Sequence, residues 1–186
     1  MISAATMCHS EGVQTHGTGR VFSDYREELE WLANFLTGDT KLAAACVVDA
    51  CALSNSQNQD FEEWLLQWAR LGTIRSAVDL QHSRIVQLAP IYKRRPCAHG
   101  GHKALSQDFL DLIVEESNVL ISKLDVLCRC ALVICGIEKK PTHEAALFLG
   151  IEAASVESAY CTALHFLEVI GCEQLQRRDN LAAMCN

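Results

Sequence analysis

The chain has 186 residues, 49% of them hydrophobic and 21% charged, with only 10 glycines and 3 prolines. That length fits one domain or two small ones; the composition excludes a disordered or low-complexity chain and argues against an all-β sandwich, which needs turn residues at regular spacing. A total of 16 Lys and Arg against 23 Asp and Glu leaves a net charge of −7, so any affinity for nucleic acid must come from a local concentration of cations.

Residues 1–22 carry neither the cationic start nor the apolar run of a signal peptide and are expected to form a flexible N-terminal segment. No stretch reaches the roughly 18 apolar residues of a membrane span, so the expectation is a cytoplasmic protein with no membrane partner. In that reducing compartment the ten cysteines read as small hydrophobes. Cys46, Cys51, Cys128, Cys135 and Cys161 fall inside apolar helical patterns. No Cys-x-x-Cys pair occurs, and Cys128 and Cys130 would point about 200° apart on a helix.

From Asp24 onward the periodicity is helical. DYREELEWLANFL places Tyr25, Leu29, Leu32 and Leu36 on one face, with Ser23 as its expected N-cap and Gly38 as its C-terminal stop. Asp39 or Thr40 caps a second helix, KLAAACVVDACAL. After the polar loop SNSQNQ, Asp60 and Glu63 resemble a capping box that opens FEEWLLQWARLGTIRSAVDLQ. Its stripe of Phe61, Trp64, Leu65 and Trp68 reads as bundle core. Pro90, Pro96 and Gly100-Gly101 break the pattern over residues 86–105, read as a basic linker. Ser106 then caps QDFLDLIVEESNVLISKL, Asp125 starts VLCRCALVICG, and THEAALFLG precedes a last helix over about residues 155–170. The expected fold is all-α. Two small helical domains, residues 23–85 and 106–171, are joined by the linker and followed by a tail over 172–186.

The most informative stretch is THEAALFLGIEAASVESAYCTALHF, residues 142–166. Ala146 is small enough to let two helices approach, Gly150 four residues on permits the positive φ of a tight turn, and Val156 follows six later. Ala145, Leu149, Ile151 and Ala159 fill the interior positions, with Ile151 and Val156 plugging the angle between the helices. This is the spacing of a helix-turn-helix, whose second helix enters a DNA major groove.

The region LISKLDVLCRCALVICGIEKKPTHEAALFLGIEAASVESAYCTALHFLEVI resembles the C-terminal DNA-binding region of extracytoplasmic-function sigma factors of the sigma-70 family. Thr142, Glu144, Ala145, Ala146, Leu149, Gly150, Ile151, Val156 and Ser158 fit that family's pattern. More faintly, Trp64, Leu65, Ala69, Arg70 and Asp79 match the end of its first conserved domain. The resemblance spans about residues 24–170. It implies a sigma-like initiation factor that binds core RNA polymerase and directs it to promoter DNA, catalysing nothing itself and needing no cofactor. It also leaves room for an anti-sigma or other regulatory protein as partner. Ser155, Glu157, Ser158 and Thr162 would then face the upstream element, and Arg70, Arg75 and Arg84 the melted element beside Trp64 and Trp68. Asp49 is the acidic residue left for polymerase on the second helix.

Charge departs from the family's pattern. Residues 155–170 contain no Lys or Arg, although phosphates supply most DNA affinity and Arg or Lys reads guanine edges. The cations gather instead over residues 70–103, where Arg70, Arg75, Arg84, Lys93, Arg94, Arg95 and Lys103 face Asp79 alone. That imbalance favours a second expectation, a protein-interaction module on a sigma-like scaffold that no longer reads DNA. Cys97, His99 and His102, with His9 or Cys8, could surround zinc, but the spacing matches no established finger and no metal is expected. No catalytic triad, carboxylate pair or phosphate-binding glycine loop is visible, so no enzyme is expected.

Overall fold

The computed structural model describes residues 18–54, 62–94 and 105–184, and every secondary-structure element among them is helical. The chain divides into two units, Met1–Asp79 and Leu80–Asn186. Among the described residues no single helix is long and apolar enough to cross a membrane.

In the first unit, α1 (Thr18–Asp24) and α2 (Arg26–Thr37) meet at Tyr25, whose backbone leaves helical geometry at φ −106°. Ser23 therefore lies inside a helix rather than capping one. Val21 and Phe22 are buried and give this extra turn a reason to fold. Leu29, Leu32 and Leu36 are fully buried on the expected face of α2, and Trp31 stacks on Phe35 at 5.7 Å. Gly38 ends the helix in the left-handed conformation, φ 71°. Asp39 Oδ1 then accepts the amides of Lys41 and Leu42 at 2.8 and 3.2 Å, so Asp39 caps α3 (Thr40–Ser54). Ala43, Cys46, Val47 and Ala50 are buried on α3.

Helix α4 (Glu62–Lys93) runs through the expected linker as far as Lys93. The reason lies in its own pattern: Ile74, Val78, Gln81, Ile85 and Tyr92 continue one buried face at helical spacing. Pro90 falls in the last turn, and both it and Val86, whose carbonyl loses its amide partner, are exposed to water. The boundary between the units falls inside this helix, at Asp79–Leu80, and not in the linker. Trp68 is 45% exposed, which corrects its reading as core; the side chains of Phe61 and Trp64 lie outside the described residues.

The second unit contains the end of α4 and five further α-helices. The segment after Ser106 forms two helices, α5 (Gln107–Glu115) and α6 (Ser117–Lys123), broken at Glu116 with φ −103°. Ser117 and Asn118 follow the break, residues whose side chains compete for the backbone. Asp125 caps α7 (Val126–Ala131) by accepting the Cys128 amide at 2.9 Å, as its position implies. A π-helical turn, Leu132–Ile137, continues α7. Near its end Gly136 passes so close to Leu105 that a Cβ there would overlap the leucine side chain as it stands. Buried Arg129 donates from Nη1 to the carbonyls of Ile121 at 2.7 Å and Leu124 at 3.2 Å, closing the end of α6. Helices α8 (Thr142–Leu149) and α9 (Ala153–Met184) complete the unit. Helix α9 starts two residues before its expected position and passes through Gly171, so residues 172–184 are helix rather than tail.

Candidate nucleic-acid interface

Helices α8 and α9 are bent by 109° across the turn that joins them. Gly150 takes φ 68°, where a side chain would clash with its own backbone. Its amide and that of Ile151, the latter at 3.1 Å, both donate to the Ala146 carbonyl, which closes the end of α8. Ala145, Leu149, Val156 and Ala159 are fully buried and Ala146 nearly so, while Ile151 is half-buried. Small residues on one helix and a β-branched plug on the other thus fix the angle, and the turn itself is set by one glycine.

The polar residues assigned to DNA on this pair are distributed differently from expectation. Ser155 and Ser158 are buried, 2% and 5% exposed, which removes both from an outer reading face. The Ser155 hydroxyl donates to the Ala89 carbonyl of α4 at 2.9 Å. Thr162 is half-buried, and its hydroxyl turns back to the Ser158 carbonyl at 2.8 Å. Glu157 is exposed, and Ala153, Ala154, His165 and Glu168 share exposure with it. The outward surface of α9 over these residues is therefore apolar to acidic.

Of the three arginines assigned to the melted element, Arg70 pairs with Glu28 of α2 and Arg75 pairs with Asp79 at 3.1 Å. These carboxylates compete with any phosphate, most effectively for Arg70, which keeps only 22% of its side-chain surface. Arg84 is exposed. Asp49 is exposed on α3, where a partner can reach it. Cys97, His99 and His102 lie outside the described residues, as do Cys8 and His9.

Sequence reasoning missed the groups that bind α4 to the α7–α9 region. The Tyr92 hydroxyl donates to Asp125 Oδ2 at 2.6 Å and lies 3.0 Å from the Cys128 thiol, which donates to it. Burial, and the acceptor Asp125 that needs the phenol protonated, hold the Tyr92 hydroxyl far above its usual ionisation range. Lys93 Nζ pairs with Glu152 at 2.8 Å, one residue before α9 begins. Nothing local in the sequence joins residue 92 to 125, or 93 to 152. A continuous buried face through Ile85 to Tyr92 is the one signal that α4 reaches this far.

Among the described residues the cysteines divide between core and surface, with Cys51 half-buried and Cys172 exposed. Cys46, Cys128 and Cys130 are buried, and desolvation pushes the Cys130 thiol up to about 12 and that of half-buried Cys135 up to about 11. Cys161 corrects the expectation: it is disulfide-bonded, and its half-exposed place on α9 lies off the core. Compared with known protein families, curated proteins and solved structures, the chain finds no match.

Proposed function

We propose that this chain is a sigma-like transcription initiation factor that binds core RNA polymerase and brings it to promoter DNA through the α8–α9 pair. The observation that carries this reading is the 109° helix pair closed by left-handed Gly150, with Ala145, Ala146, Leu149, Val156 and Ala159 all buried at its vertex. The family resemblance supplies the polymerase, with the exposed Asp49 face of α3 as its docking place.

A second reading is favoured by charge. The exposed part of α9 presents Glu157 and Glu168 and no Lys or Arg through residue 173, which suits a protein partner better than a phosphate backbone. On this reading the chain is an interaction module that holds polymerase or a regulator without reading DNA.

Glu157→Lys tests the choice. Glu157 is exposed, so the fold tolerates the exchange, whereas fully buried Ala159 cannot carry a cation. If α9 faces DNA, the variant binds duplex DNA several-fold more tightly at low salt. Its plot of log affinity against log salt steepens by about one unit, since each phosphate contact contributes about 0.9. An unchanged slope in a folded variant supports the interaction module.

A further inference from the structure

The second half of α4 and the residue after it, 80–94, hold Arg84, Lys93, Arg94 and His82 and not one carboxylate, while residues 142–173 hold no Lys or Arg. Two residues of this stretch, His82 and Lys93, meet the α8–α9 turn. His82 lies against the turn, its Cε1 3.3 Å from where a Cβ on Gly150 would sit. One turn of helix before Lys93, the Ala89 carbonyl receives the Ser155 hydroxyl, and Lys93 itself reaches Glu152. Residues 82, 89 and 93 recur at helical spacing and share one edge of α4, which is the edge laid along the start of α9. Arg94 is the next residue and is exposed. Both members of the Lys93–Glu152 pair keep more than half of their side-chain surface, so the ion pair is solvated and readily exchanged for another anion.

We propose that Lys93 and Arg94, at the end of α4, are the phosphate-binding rim of the α8–α9 pair, supplying from a neighbouring helix the cations that residues 142–173 lack. The inference rests on the DNA-binding reading given above. Glu152 is then the competitor of DNA: it occupies Lys93 in the free chain, and a phosphate beside the turn takes its place. Such an arrangement keeps the free chain a weak binder, because one of its two rim cations is neutralised until DNA arrives.

The test is fluorescence anisotropy of a labelled DNA duplex with the full chain and with core polymerase present, across a salt series. Lys93→Gln with Arg94→Gln lowers the slope of log affinity against log salt by about one to two units. Glu152→Gln tightens binding several-fold at low salt, and this gain disappears when Lys93→Gln is added. Lys123→Gln, exposed on α6, leaves the slope as it is and controls for a general change in net charge. A wild-type chain that binds duplex with a slope indifferent to the Lys93, Arg94 and Glu152 exchanges overturns the rim and leaves the DNA-binding reading standing. A wild-type chain that binds no duplex, alone or with polymerase, overturns both. Helical circular dichroism on each variant excludes loss of fold.

Discussion

Gly150 has φ 68° and its amide closes α8, so a side chain there is strained whatever space surrounds it. Gly150→Ala is expected to cost about 1–2 kcal/mol in urea unfolding, and a neutral effect would mean that the turn is not held in this conformation. This position was legible from spacing alone, because glycine four residues after Ala146 has few other uses. The buried serines were not: Ser155 and Ser158 look like surface polar residues until the hydroxyl of one is seen to satisfy a carbonyl of α4. The thiols give a pH signature at the same scale. Cys130 and Cys135 stay protonated in the fold to about 12 and 11, whereas exposed thiols ionise near 9.0. A folded value raised above the unfolded one means stability that is complete below about pH 9 and lost as pH climbs toward 11 and 12. Urea midpoints should therefore fall across that window. Cys130→Ala, although less stable at neutral pH, should show a shallower fall; an identical fall would assign the pH dependence to other groups.

At the scale of elements, helix existence followed from periodicity, and helix ends followed where a cap is chemically marked, as at Gly38, Asp39 and Asp125. The misread ends have separate causes. Pro90 signals a break, yet it sits in an exposed last turn whose neighbours Ile85 and Tyr92 are buried, and burial outweighs one lost backbone hydrogen bond. Glu116 breaks a segment whose apolar pattern runs on without interruption, so no periodicity argument finds it. The junction of α4 with α7 depends on Tyr92 and Asp125, and their coupling is measurable. Tyr92→Phe and Asp125→Ala should each lower unfolding free energy by about 1 kcal/mol, the second also through loss of the α7 cap. Their double variant should lose less than the sum of the two. Strict additivity would show that the 2.6 Å hydrogen bond does not form in solution.

For the whole molecule, the all-helical class was readable from composition and pattern, while the division into units was displaced from the linker into α4 because residues 80–93 pack with the C-terminal helices. That displacement changes the outcome of proteolysis. Trypsin cleavage at Arg94 or Lys103 severs the chain beyond α4, yet Ile85 and Tyr92 on the near side of the cut stay buried in the second unit, and the Ala89–Ser155 hydrogen bond spans the cut. The nicked protein should elute as one species on size exclusion, and two separating fragments would contradict the placement of this half-helix. The sigma-like account as a whole turns on polymerase, since the helix pair alone brings few cations to DNA. The measurement that bears on it most directly is retention of core RNA polymerase from the native cells on the tagged full chain, followed by duplex binding of the eluted complex. The account predicts stoichiometric retention, weakened by Asp49→Lys, and a complex that binds duplex more tightly than the chain alone. Core polymerase that passes through unretained, with the chain folded and helical, would contradict it.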